Sequence, residues 1–405
     1  MGISKKVMAH RSSKPVEEPW IKAAAERAPR LFFIDNLRTS LVILVVFHHL
    51  AVTYGSGAPF YYVEPAFNDP LAFLALLVFT LVNQAWFMGA LFLFSGYFAP
   101  GSFDRKGPGS FLKDRLIRLG LPLLIFYFML GPLSSIGYWQ MPASLTGITT
   151  PLTWRAYPHL LGMGPLWFVA MLLIFDFGYA AWRILARTRT STSNSHFSPP
   201  GYLPAGLLIL ALALVSYLVR IAVPLGKEVF GFPTLAYLPQ YLGFFVLGAV
   251  ASGRGWFRTL PGSMGLAGFV AALAAGVLLF PLAFSGHFFS LELTPTLTEA
   301  FGKGHWRSVV YALWDSTFAV GMCLGLISFF RRFFNGQGRF GRFLSQHSYA
   351  VYLIHTPILV FIAVALKPIA LEPLLKFGLA ALIVVPTCFA AACLARLIPP
   401  LSKVL

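Results

Sequence analysis

Charge is what this chain is short of. Only 11% of its 405 residues are Asp, Glu, Lys or Arg, while 57% are hydrophobic and the mean hydropathy is +0.73. Soluble globular domains carry about 25% charged residues, so that class is excluded. Cysteine is also scarce. Cys323, Cys388 and Cys393 all fall inside apolar runs, which excludes a disulfide framework and a CxxC metal pair. The first thirty residues lack an apolar core segment, so they do not read as a secretory signal. They are expected to form a basic cytoplasmic tail able to rest on anionic lipid. The alternating pattern of a membrane β-barrel is missing as well, which leaves helices as the only way to satisfy the backbone in a bilayer.

What the chain has in abundance is long apolar runs. Ten spans follow from them, at about residues 37–55, 71–98, 114–135, 161–184, 203–224, 235–251, 263–284, 307–330, 346–366 and 373–397. The expected fold is all-α, a polytopic membrane bundle of about ten transmembrane helices. Residues 1–30 form the tail and 31–405 a single transmembrane domain. Basic residues outnumber acidic ones, 31 to 14, for a net charge of +17. With the N-terminus inside, 24 of the 31 fall in the tail, the loops and the helix ends of one side, so both termini are expected in the cytoplasm and the chain in the inner (plasma) membrane. The excess positive charge thus reads as topology, and a nucleic-acid partner is not expected.

A few polar residues stand out against this background. The first span, FFIDNLRTSLVILVVFHHLAVTY, places Asp35 and Arg38 at its entrance and His48 with His49 deep inside. Arg38 and His48 are ten residues apart, about 15 Å along a helix, so the imidazole reaches the middle of a bilayer core about 30 Å thick. An ionisable group at that depth is costly and marks a functional candidate, although a satisfied bundle-core histidine is the plain alternative. Arg115 and Arg118, one turn apart in FLKDRLIRLGLPLL, offer two planar guanidinium groups suited to phosphate. Positive-inside anchoring would explain them equally well. Asp176 lies inside the fourth span, and His355 lies at the same expected depth as His48 in SYAVYLIHTPIL, just before Pro357. Asp176 and Asp315 are both candidates to orient a histidine, and the sequence does not choose between them. No two histidines stand at metal-binding helical spacing with a carboxylate, so no metal site is expected.

In this order IDNLRTSLVILVVFHH, ALFLFSGYF, FLKDRLIRLGLPLL, GPLWFVAMLL and SYAVYLIHTPIL resemble the acyltransferase-3 family of integral membrane acyltransferases, in particular its glucan-modifying (OpgC/MdoC-like) members. The resemblance implies transfer of an acyl group, acetyl or succinyl, from cytoplasmic acyl-CoA to a hydroxyl of an extracytoplasmic or membrane-associated glycan. No cofactor beyond the acyl-CoA donor substrate is implied, and a homo-oligomer is left open. His48 takes the part of the family's first-span histidine in its R-x10-H motif, as general base or transient acyl carrier, with Arg38 as its partner. Arg115 and Arg118 take the second arginine motif and the donor's phosphates. Asp176 or His355 would orient the imidazole or the acceptor. One departure is Pro165, which stands before LWF where these proteins often carry a histidine; the nearest here is His159. The rival reading is a proton-coupled transporter of a small polar or acyl substrate, with His48, Asp176 and His355 as its path.

Overall fold

The structure, a computed structural model, describes residues 30–186, 199–285, 293–402 and 404. Residues 1–29 of the tail, Arg187, Arg189, His287 and Lys403 therefore lie outside the described residues. Phe32–Leu405 forms one compact unit. Among the described residues, ten stretches of helix are long and apolar enough to cross a membrane. They are α1 (Phe32–Tyr54), α2 with α3 (Pro70–Gln84, Phe87–Lys106), α4 (108–135), α5 (Trp167–Leu185), α6 (Tyr202–Ala222), α7 (Leu238–Arg254), α8 (Gly262–Ala283), α9 (Trp306–Phe333), α10 (Arg339–Leu366) and α11 (Pro373–Leu397). Among the described residues the nearest thing to a sheet is one bridge between Val229 and Phe232.

Helix α1 is the centre of the bundle. It packs against α2, α3, α9, α10 and α11 and buries Phe33, Leu37, Leu41, Val45, Val46 and Leu50 among others. By contrast α6 and α8 expose Leu203, Leu207, Leu210 and Leu214, and Leu266, Val270, Leu273 and Val277, an apolar surface that suits lipid. Lipid gives no hydrophobic drive for one helix to join another, so close packing has to supply it. Small residues make that packing close. A Cβ on Gly96 of α3 would stand 2.0 Å from the Phe245 carbonyl oxygen of α7, and one on Gly248 would stand 2.0 Å from that of Leu93.

Two spans are less regular than their hydropathy suggests. The second, expected as one continuous helix, is broken at Ala85–Trp86, where the Ala85 carbonyl accepts from Gln240 Nε2 at 2.8 Å. The third contains two π turns, Leu116–Gly120 and Phe126–Leu130, each followed by a proline, Pro122 and Pro132. A proline has no N–H to give the carbonyl four residues back. The carbonyls so released, those of Arg118 and Phe128, are taken by the hydroxyls of Tyr349 and Tyr157, the latter at 2.7 Å. The bond from Tyr349 ties the arginine end of α4 to α10.

Candidate active site

The polar residues of the bundle sort into two ends. At the arginine end, Arg38 lies over the ring of Phe98 at 5.9 Å and within electrostatic reach of Asp35 and Arg115. Arg115 Nε stands 3.0 Å from Asp176 Oδ2, and the carboxylate is 1% exposed. Arg118 Nε stands 3.1 Å from Asp114 Oδ1, Asp114 Oδ2 meets Lys106 Nζ at 2.8 Å, and the Arg118 side chain is 57% exposed. The structure thus brings Arg38 and Arg115 together, with Arg118 one turn along α4 and open at the surface. Asp176 does not orient a histidine as expected: its partner is Arg115. Asp315 is equally committed, 2.5 Å from Arg220 Nη2 in a fully buried pair flanked by Tyr237 and Tyr311. The reason is physical, since a buried carboxylate needs a cation, and the guanidinium groups are nearer than either imidazole.

At the other end of α1 the histidines meet. His355 Nδ1 lies 2.7 Å from the carbonyl oxygen of Tyr352, and His355 Nε2 lies 3.1 Å from His49 Nδ1. A carbonyl only accepts, so in neutral His355 the proton sits on Nδ1 and Nε2 is a lone pair. His49 must then donate from Nδ1, which leaves its Nε2 as a basic nitrogen. Thr356 Oγ1 also lies 3.5 Å from His355 Nε2. The ring of His49 is only partly buried and is stacked on Phe60, centroids 4.9 Å apart at 20°. His48 points elsewhere. It is buried against Phe87, centroids 5.0 Å apart, and its Nδ1 has no hydrogen-bond partner.

His49 is therefore the residue that sequence reasoning passed over in favour of its neighbour. The signal was present: nine residues separate Arg38 from His48, and ten separate it from His49. Read as ten intervening residues, the R-x10-H motif points to His49. His355 and Tyr352 come from α10, and Tyr352 also donates to the Pro165 carbonyl at 2.5 Å, so the turn before α5 is anchored to the same helix. The wall beyond His49 comes from the loop 55–69, where burial pushes the phenols of Tyr61 and Tyr62 up, away from ionisation. Along α1 the distance from Arg38 to His49, eleven residues, is about 16 Å. No group of three or more metal-ligating side chains occurs among the described residues.

Residues 31–393 match the acyltransferase-3 family model, an acyltransferase domain. The chain belongs to the acyltransferase-3 family. This acyltransferase is 26% identical to glucans biosynthesis protein C of Escherichia coli O17:K52:H18 (strain UMN026 / ExPEC) over 367 residues, 84% of this chain and 85% of that one. Its identity to the protein of the same name from Escherichia coli strain K12 / DH10B is 25% over the same shares. No solved structure matches it. As an acyltransferase with ten long apolar helices among its described residues it is a multi-pass protein of the inner membrane, and the acyl-transfer reading displaces that of a transporter.

Proposed function

We propose that this acyltransferase moves an acetyl or succinyl group from cytoplasmic acyl-CoA to a hydroxyl of an extracytoplasmic or membrane-associated glucan. The observation that carries the reading is the relay from the Tyr352 carbonyl through His355 to His49, which shares α1 with Arg38 and whose α10 is tied by Tyr349 to the Arg118 carbonyl of α4. Both termini are placed in the cytoplasm because the basic residues gather on that side. The donor's phosphates then meet Arg118, Arg115 and Arg38, which suit phosphate as planar donors. A pantetheine arm is about as long as the stretch of α1 that separates these arginines from His49. The glucan acceptor is supported by the relatives, glucans biosynthesis protein C.

The chemistry needs one base. His49 Nε2 takes the proton of the acceptor hydroxyl as its oxygen attacks the thioester carbonyl. The imidazolium that forms keeps its Nδ1–H on His355 Nε2, which holds the ring in one tautomer and spreads the charge, as the third member of a catalytic triad does. The tetrahedral intermediate collapses with loss of the CoA thiolate, which recovers the proton from His49. His48, packed on Phe87, supports the ring beside it rather than reacting. In this reading His49 replaces His48 as base, His355 is a positioning residue, and Asp176 acts on the donor side by holding Arg115.

The test is direct. The full-length protein in nanodiscs is given radiolabelled acetyl-CoA or succinyl-CoA and a short glucose oligosaccharide, and the products are separated by mass. Label in an alkali-labile sugar ester supports the reading; CoA release with no ester under any donor overturns it.

A further inference from the structure

The loop between α1 and α2 is built into the bundle rather than left on its surface. The Glu64 N–H donates to the Thr53 carbonyl at 2.6 Å, and the Val63 N–H reaches Met141 sulfur at 3.1 Å. Tyr62 donates to Glu64 Oε1 at 2.8 Å, while Glu64 Oε2 stands 2.5 Å from Lys376 Nζ of α11. The Lys376 side chain is 6% exposed and its ammonium lies 5.9 Å from the ring of Tyr54. A cation so buried is costly unless paired, so the pair fixes the loop to α11. Tyr61 fits where two glycines leave room. A Cβ on Gly164 would stand 2.2 Å from its hydroxyl oxygen, and one on Gly137 would stand 2.5 Å from its carbonyl oxygen. Gly164 has φ +45°, which glycine tolerates best.

What this clamped loop delivers is Phe60. Its ring is half-buried, lies parallel to His49, and turns its edge to Tyr61, which in turn meets Tyr138 at 5.9 Å. An aromatic face next to a basic nitrogen suits the C–H face of a pyranose, because the ring takes up apolar area while the sugar hydroxyls remain free to reach the base. We propose that Phe60 is the acceptor-positioning residue of this site, seating a sugar ring beside His49, and that the Tyr62–Glu64–Lys376 cluster is the latch that holds it in register.

This inference rests on the sugar-acceptor reading above. The test measures two acceptors in the full-length protein: labelled acetyl-CoA with a glucose oligosaccharide, and the same donor with water alone. Phe60→Leu is expected to raise the KM for the oligosaccharide about fivefold, with the KM for acetyl-CoA unchanged and a smaller effect on the reaction with water than on transfer to sugar. Phe60→Tyr, which keeps the ring, is expected to restore the acceptor KM. Glu64→Gln is expected to shift it in the same direction as Phe60→Leu. An unchanged acceptor KM in Phe60→Leu overturns the proposal. So does an equal fall in transfer to sugar and to water, since Phe60 would then only hold His49. If the wild-type protein acylates no sugar, the functional reading fails, and oligosaccharide binding by saturation-transfer NMR decides the loop by itself: weaker binding in Phe60→Leu supports the seat, and equal binding overturns it.

Discussion

Replacing His355 with alanine takes away the acceptor that stands 3.1 Å from His49 Nδ1. The Nδ1–H left behind keeps only the Val45 carbonyl one turn back on α1, and the imidazole is no longer held in one tautomer by α10. Losing a hydrogen bond of this kind costs about 0.5–1.5 kcal/mol, and 1.4 kcal/mol is about a tenfold change in rate. Where that cost falls on the transition state, kcat for acyl transfer is expected to drop by roughly twofold to tenfold. His49→Ala removes the base itself, worth about 10²–10⁴ in rate. Because the two act as a unit, the double variant is expected to match His49→Ala rather than the product of the two losses. His355→Gln returns an acceptor oxygen and is expected to recover part of the rate. The assay is ester formation from labelled acyl-CoA in nanodiscs, with size-exclusion profiles to show that each variant is folded. His48→Ala is the control, with a modest loss through packing. Wild-type activity in His49→Ala, a loss in His48→Ala as large as that expected for His49→Ala, or additive losses in the double variant would refute the relay.

Arg118→Ala removes an exposed guanidinium while its backbone carbonyl keeps Tyr349, so the KM for acyl-CoA is expected to rise about tenfold with the fold intact; titration of initial rates against donor checks it, and high salt should narrow the gap to wild type. Asp176→Ala leaves the half-buried guanidinium of Arg115 without its carboxylate and is expected to lower the melting temperature in detergent. Asp315→Ala strands the fully buried guanidinium of Arg220, at a cost of about 3–5 kcal/mol read as a larger fall in melting temperature but, in the protein that remains folded, an unchanged KM for acyl-CoA. Gly96→Leu drives a side chain into the Phe245 carbonyl, 2.0 Å from where its Cβ would lie, and is expected to abolish a monodisperse bundle on gel filtration, whereas Gly109→Leu, with nothing near, is expected to be silent.

Much of the architecture was legible because lipid leaves the chain few options. Apolar runs long enough to cross a bilayer must close their hydrogen bonds within themselves, so the ten spans found among the described residues follow from hydropathy, while polar turns carry some helices up to eight residues past the apolar run, as at Lys106 and Arg339. The break at Ala85–Trp86 was hidden because no proline or glycine stands at the turn, and Asn83 and Gln84 just before it read as polar residues of a bundle interior. The π turns of α4 were hidden because a proline marks an interruption without saying how the neighbouring turns absorb it.

For the site, the residue types and their rough depth were legible in the sequence, since Arg38, Arg115, Arg118, Asp176, His48, His49 and His355 stand out against apolar neighbours. Pairing was not. Adjacent residues on a helix point about 100° apart, so His48 and His49 share a depth but face different helices, and only the packing of α10 against α1 selects His49. The same packing gave Asp176 to Arg115 and Asp315 to Arg220, because a buried charge takes whichever opposite charge the fold brings nearest. By itself the sequence determined a charge-poor membrane bundle with cations at one end and imidazoles at its middle. The tertiary structure alone decided which imidazole is held as a base and which aromatic ring lies beside it, because both depend on side-chain direction across helices far apart in the chain.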